Sequence, residues 1–176
     1  SPYAVAKAAA ALYARFFHSL YATPVVTARI FMVYGPGQVD HTKLVPYSIL
    51  RALRKEAPRL TSGTRPVDWI FIDDVVAGLL AAGEVAGIEG ETFDLGSGEL
   101  ITVRQIVEKI CHALAAPPPE LGALADRPLE AVRRANIAKS ISRLGWRPQV
   151  GLEEGLHRTI VGLRGELASG AHVVRG

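Results

Sequence analysis

The stretch "PVVTARIFMVYGPG" at residues 24–37 constrains the fold more than any other part of the chain. Residues 25–33 are almost continuously apolar and rich in β-branched side chains, which reads as a strand, and the Gly/Pro run after them reads as a turn. A strand without polar alternation needs cover on both faces, the condition met by a parallel sheet between helices. The segment before it supplies a helix at about 2–20: Ser1 is a capping residue, Pro2 suits the first helical position, and an Ala-rich run follows.

The rest of the chain continues the alternation. A helix is expected over about 43–55, ending before Pro58, and "PRLTSGTRPVDWIFIDD" supplies strand material around a Ser-Gly-Thr turn. A helix then starts near Asp73 or Asp74, either of which can cap it. "ETFDLGSGELITVRQIVEKICHALA" reads as strand, loop and helix. Thr102 and Gln105 have capping-box spacing there, and Val103, Ile106, Val107, Ile110 and Leu114 form an apolar stripe. A linker, "APPPELGALADRP", precedes a short helix with Asn136 as cap and Gly145 as terminator. A last helix follows, and the tail from about 169 reads as frayed. Helices alternating with β-branched strands make an α/β protein, and 176 residues suit one domain or a small two-lobed unit.

Charge and composition exclude several functions. Twenty Lys plus Arg against seventeen Asp plus Glu leave +3, a modest preference for anions and no requirement for nucleic acid. The basic residues at 51, 54, 55 and 59 lack an accompanying recognition module and read as solvated surface. Cys111 is the only cysteine, so no internal disulfide forms, and the five histidines have no metal-site spacing. No apolar run is long enough for a membrane span and no signal-peptide pattern stands before Ser1, so a cytoplasmic location is expected, with no membrane partner. The Gly-Ser-Gly at 96–98 lacks both the dinucleotide fingerprint and the P-loop lysine, and reads as a strand-to-helix turn.

Tyr3 and Lys7 stand four apart, on one face of the opening helix. An ammonium near a phenol favours the phenolate and suits the phenol to proton exchange with a substrate hydroxyl. The spacing alone is equally that of an ordinary aromatic beside a solvated lysine.

The blocks "SPYAVAKAAAA", "ARIFMVYGPGQ", "RPVDWIFIDDVVAGLLAA", "ETFDLGSGELITVRQIVEKI" and "ANIAKSISRLGWRPQVGLEEGLHRTI" occur in one order. In that order they resemble the carboxyl-terminal portion of extended short-chain dehydrogenase/reductases of the nucleotide-sugar epimerase/dehydratase family, over roughly residues 1–163. The resemblance implies NAD or NADP on a Rossmann-type sheet and a nucleotide-diphosphate sugar between that sheet and a smaller lobe. It implies that Tyr3 is the acid/base and that Lys7 holds the nicotinamide ribose, with Ile30 and Met32 beside the nicotinamide. Substrate contacts are implied for Met32, Lys43, Leu44, Val45, Pro58, Leu60, Arg65 and Arg127, the last a fork of donors suited to a diphosphate. Two positions depart from the family pattern: Met32 stands where an asparagine is usual and Val67 where an arginine is usual. Arg65 can point toward an anion or toward solvent, and Arg133 and Arg134 read as solvated.

No Gly-x-Gly-x-x-Gly turn occurs in the chain, and only two residues precede Tyr3. The resulting expectation is the carboxyl-terminal part of a Rossmann-type parallel sheet with the smaller substrate-binding lobe, the amino-terminal dinucleotide-binding half being absent. Residues 1–40 and 88–116 are then a Rossmann remnant, 41–87 and 117–168 mainly the substrate lobe, and 169–176 a tail. The strand at 25–33 would be left with an open edge and bare faces, to be covered by the missing half or by self-association. Such a chain is expected to be inactive alone and to bind a nicotinamide cofactor weakly or not at all. The alternative is a non-catalytic relative serving as an oligomerisation or interaction protein.

Overall fold

In the computed structural model, which describes residues 1–126 and 131–169, six helices and five strands follow the expected alternation. Helix α1 (Pro2–Tyr21) opens the chain; the Ser1 hydroxyl accepts from the Ala4 amide at 3.3 Å, and Ala22 closes the helix in the left-handed region. Strands β1 (Thr27–Ile30) and β2 (Met32–Tyr34) follow, then α2 (Leu44–Leu53), β3 (Pro66–Phe71) and α3 (Ile72–Glu84). Strands β4 (Thr92–Leu95) and β5 (Leu100–Thr102) lead into α4 (Val103–Ala113), α5 (Ala138–Leu144) and α6 (Leu152–Ala168).

The apolar run at 25–33 is not one strand. It divides at Phe31: β1 pairs in parallel with β4, Thr27 opposite Thr92 through Ile30 opposite Leu95, and β2 pairs in parallel with β3. Strand β5 adds to β3 antiparallel, so the chain passes from one sheet into another within a single residue. Cover on both faces belongs instead to β3, which is buried from Val67 to Phe71. Its odd side chains Val67, Trp69 and Phe71 enter a core built with α2, α4 and α6, while Ile70 enters a second core with Phe93, Leu95, Leu144 and Trp146. The period-2 pleat thus sends alternate residues into two apolar layers.

Local signals explain the helix that seals the first core. Thr102 accepts from the Gln105 amide at 3.2 Å and the Gln105 side chain accepts from the Thr102 amide at 2.9 Å, a complete capping box. Its stripe buries Ile106, Val107 and Ile110 entirely, each contributing about 1.5–3 kcal/mol relative to exposure. Gly145 terminates α5 at φ +64°, as its position suggests.

Several expectations are corrected. Neither Asp73 nor Asp74 caps α3; the helix begins at Ile72 with both in its first turn, and the Asp74 carboxylate accepts from the Gln149 and Val150 amides. Asn136 sits one residue before the cap position of α5 and accepts from Ala138 at 3.3 Å. The stretch at 25–33 does not stand unpaired, as a bare strand would. All four residues of β1 pair with β4, β2 is joined to a mixed sheet, and both sheets form from strands of this chain. A parallel pair of the Rossmann type together with a mixed sheet replaces the expected remnant with its dinucleotide-binding half absent. Helix α1 stands apart from both cores, with no buried residue. Among the described residues no helix is long and apolar enough to cross a membrane.

Candidate active site

Helix geometry puts Tyr3 and Lys7 one above the other on α1, and the Lys7 ammonium lies 5.6 Å from the centre of the Tyr3 ring. Tyr3 is 72% exposed, so its phenol is open to an incoming hydroxyl. Tyr34, the last residue of β2, has a different part. It is buried, meets Trp69 and Phe71 edge-on, and donates to the Leu152 carbonyl at 3.4 Å. Burial, reinforced by the negative charges of Asp74 and Glu153, pushes its phenol far above the ordinary tyrosine value. Tyr34 is therefore a structural hydrogen-bond donor.

A cleft of about 240 Å³ lies where the chain crosses between the two sheets. Ile30 ends β1 and Met32 begins β2, and both line it while remaining 46% and 41% exposed. Arg65 and Val67, flanking the start of β3, form another side, and Arg133 reaches it from the segment before α5. Ligands of open α/β proteins bind outside the carboxyl ends of parallel strands, and Ile30 is such an end.

Asp68 organises this region. It is 1% exposed, and its carboxylate accepts from the Ser97 amide at 2.7 Å, the Ser97 hydroxyl at 2.9 Å, the Gly98 amide at 3.1 Å and the Ala135 amide at 2.9 Å. The Gly-Ser-Gly turn thus spends its amides on a protein carboxylate, consistent with a structural turn and not a phosphate loop. The same aspartate ties the Arg133 segment to β3. Asp94 does parallel work on β4, pairing with Arg29 at 2.6 Å and accepting from the Asn136 amide at 3.0 Å.

The structure gathers Ile30, Met32 and Arg65 in one cleft, whereas the other residues implied by the family resemblance lie elsewhere. Lys43 precedes α2 with its ammonium 3.5 Å from Asp40. Leu44 is half-buried against the first core, Val45 is within it, and Pro58 and Leu60 are buried. The Leu60 amide already donates to the Glu120 carbonyl at 2.9 Å. Neither Tyr3 nor Lys7 lines the cleft at 30–32, and Arg127 lies outside the described residues. Arg133 went unrecognised in the sequence because a run of two arginines in a loop carries no direction. Among the described residues no three His, Cys, Asp or Glu side chains gather as metal ligands.

Known proteins share this fold. The family model described as the NAD dependent epimerase/dehydratase family matches residues 1–96. A UDP-glucose 4-epimerase of Mycolicibacterium smegmatis is 31% identical over 169 residues, covering 91% of this chain and 52% of the relative. The solved epimerase Mth375 of Methanothermobacter thermautotrophicus superposes with a TM-score of 0.89 at 30% identity, over 98% of this chain and 53% of that one. A UDP-glucose 4-epimerase of Thermotoga maritima, solved with UDP-glucose, gives 0.87 at 30% identity, over 95% and 54%. The chain therefore spans about half the length of the relatives it matches. The likeness is nonetheless to one coherent epimerase fold running through nearly all of the chain, which corrects its reading as a remnant. With more than half of its residues inside the family model, this chain belongs to the NAD dependent epimerase/dehydratase family.

Proposed function

We propose that this protein takes part in NAD-dependent epimerase/dehydratase chemistry on a nucleotide-diphosphate sugar, with Tyr3 moving the proton. The observation that carries this reading is the exposed Tyr3–Lys7 pair on one helix face, inside the region matched by the family model. The side chains suit a nicotinamide: Ile30 and Met32 offer exposed apolar surface beside the β1 terminus, and Lys7 offers an ammonium for a ribose hydroxyl. NAD, when bound, supplies the acceptor for a hydride from a sugar carbon. Tyr3 takes the proton from the hydroxyl on that carbon through its phenolic oxygen and returns it when the carbonyl is reduced. Lys7, on the same helix face as Tyr3, fixes the ribose by hydrogen bonding. Met32 presents a thioether chain to the cleft, so the sugar is held there by shape and not by a side-chain amide.

Tyr3→Phe removes only the ionisable oxygen from an exposed position. Turnover of UDP-glucose or dTDP-glucose in the presence of NAD is expected to fall about 10²–10⁴-fold, the usual worth of a positioned acid/base, with the circular dichroism spectrum unchanged. Turnover by Tyr3→Phe at the rate of the unsubstituted protein would sink the assignment.

A further inference from the structure

Helix α1 carries Tyr3 and Lys7 but gives no side chain to either core, so the direction in which that pair faces has to be set elsewhere. Residues 3, 7, 11, 14 and 18 fall on one face of an α-helix, and along that line Ala11, Ala14 and His18 are half-buried. Two of the three are alanines, whose single methyl groups fix little. His18 interlocks with the body instead: a methyl group on Gly90 would stand 2.3 Å from its Cδ2 and 2.6 Å from its Nε2. Gly90 has φ +80° in the turn before β4, and its amide donates to the Val25 carbonyl at 2.7 Å, so the surface under the ring is tied to the segment entering β1. At the opposite edge of the ring Nδ1 donates to the Thr23 carbonyl at 3.0 Å, since a carbonyl only accepts. The imidazole is thus wedged between the chain reversal that ends α1 and the turn that opens β4.

We infer that His18 is a positioning residue: seated against Gly90, it sets the rotation and tilt of α1 and thereby the direction in which Tyr3 and Lys7 face. Tyr3 precedes His18 by fifteen residues, about 22 Å of helix, so a tilt of about 10° at this joint displaces the phenol by about 4 Å. A displacement of that size takes an acid/base out of hydrogen-bond reach of its hydroxyl. The catalytic consequence rests on the proposed role of Tyr3, whereas the joint rests on geometry alone.

Nitroxide labels on Val5→Cys and Arg164→Cys, both exposed positions, read the distance from α1 to α6, and the buried Cys111 stays unlabelled. Pulsed electron resonance is expected to give one narrow distance distribution while His18 is intact. His18→Ala and Gly90→Ala are each expected to broaden it or to shift its maximum by about 3 Å or more. Gly87→Ala controls for backbone strain, because Gly87 has φ +75° in the same connection and nothing within 4 Å; it is expected to leave the distribution in place. Gly90→Ala added to His18→Ala is expected to change nothing further, as for two groups acting through one contact. The urea midpoint of His18→Ala is expected to match that of the unsubstituted protein, since α1 buries nothing in the cores. Unchanged distances in both His18→Ala and Gly90→Ala overturn the inference, as does a broad distribution with His18 intact or an equal shift in Gly87→Ala. A midpoint that falls together with the shift in His18→Ala makes the contact structural and also overturns it. Because these distances read no turnover, an active Tyr3→Phe variant removes the acid/base assignment and leaves the joint standing. Unchanged distances beside an inactive Tyr3→Phe variant remove the joint alone.

Discussion

Single residues in this protein divide into those spent on the fold and those left facing outward. Asp68 belongs to the first kind, because four donors from two distant segments end on its carboxylate. Asp68→Asn keeps the shape but replaces one acceptor oxygen with a donor that faces other donors. It is expected to cost about 1–3 kcal/mol, read as a lower urea midpoint. A midpoint equal to that of the unsubstituted protein would show the cluster to be dispensable. Tyr3 and Lys7 belong to the second kind, and their spacing was legible because i,i+4 adjacency is a property of any helix. The burial of Asp68 was legible in part: an aspartate within "VDWIF" has to find donors, although nothing in the sequence says that they come from residues 97, 98 and 135. Arg133 was not legible, since its placement depends on the path of a loop.

At the level of elements, close approach decides which substitutions are tolerated. In α6, Gly155 faces the Tyr34 hydroxyl and the Phe71 ring so closely that an added methyl group falls inside van der Waals contact, whereas Gly165 on the same helix meets nothing within 4 Å. Gly155→Ala is expected to destabilise by about 1–3 kcal/mol through overpacking. Gly165→Ala is expected to be neutral or to stabilise by about 0.5–1 kcal/mol, as alanine does in a helix interior. Thermal melts of the two variants check both, and equal melting temperatures would contradict the packing. A second prediction concerns α5. Hydrogen bonds from Arg143 and then Lys139 hold the half-buried Glu91 carboxyl below the usual glutamate range. A depressed folded value contributes stability above the unfolded value of about 4.3, and that contribution is lost as pH falls through the folded value. Glu91→Gln is therefore expected to lose stability less steeply below about pH 4.3 than the unsubstituted protein does. Parallel acid limbs in urea titrations would refute it. The helices α1 and α4 were legible because their caps and periodicities are local. The division of residues 25–33 was not, because it depends on which strands lie beside Phe31; the Phe31 amide donates to the Leu95 carbonyl at 3.0 Å, next to the ladder that β1 forms with β4.

Across the whole molecule, stability is unevenly distributed. The cores gather around β3 and β4, while α1 contributes no buried residue and exposes Leu12, Tyr13, Phe16, Phe17 and Leu20. His18 holds its end to the body, with Nδ1 3.0 Å from the Thr23 carbonyl and its ring against Gly90. Hydrogen exchange is expected to be faster along α1 than along α4, whose stripe is sealed in the first core. Equal protection of the two helices would contradict that ranking. The sequence by itself determined the α/β class, the helix starts at Ser1 and Thr102, the stop at Gly145 and the adjacency of Tyr3 and Lys7. Each of these follows from interactions between residues a few positions apart. The tertiary structure alone decided that β3 is the strand covered on both faces and that the chain changes sheets at Phe31. It also decided that Asp74 holds residues 149–150 and that Arg65 and Arg133 share a cleft. Those outcomes depend on contacts between residues distant in sequence, which hydrophobic pattern requires to exist but does not pair.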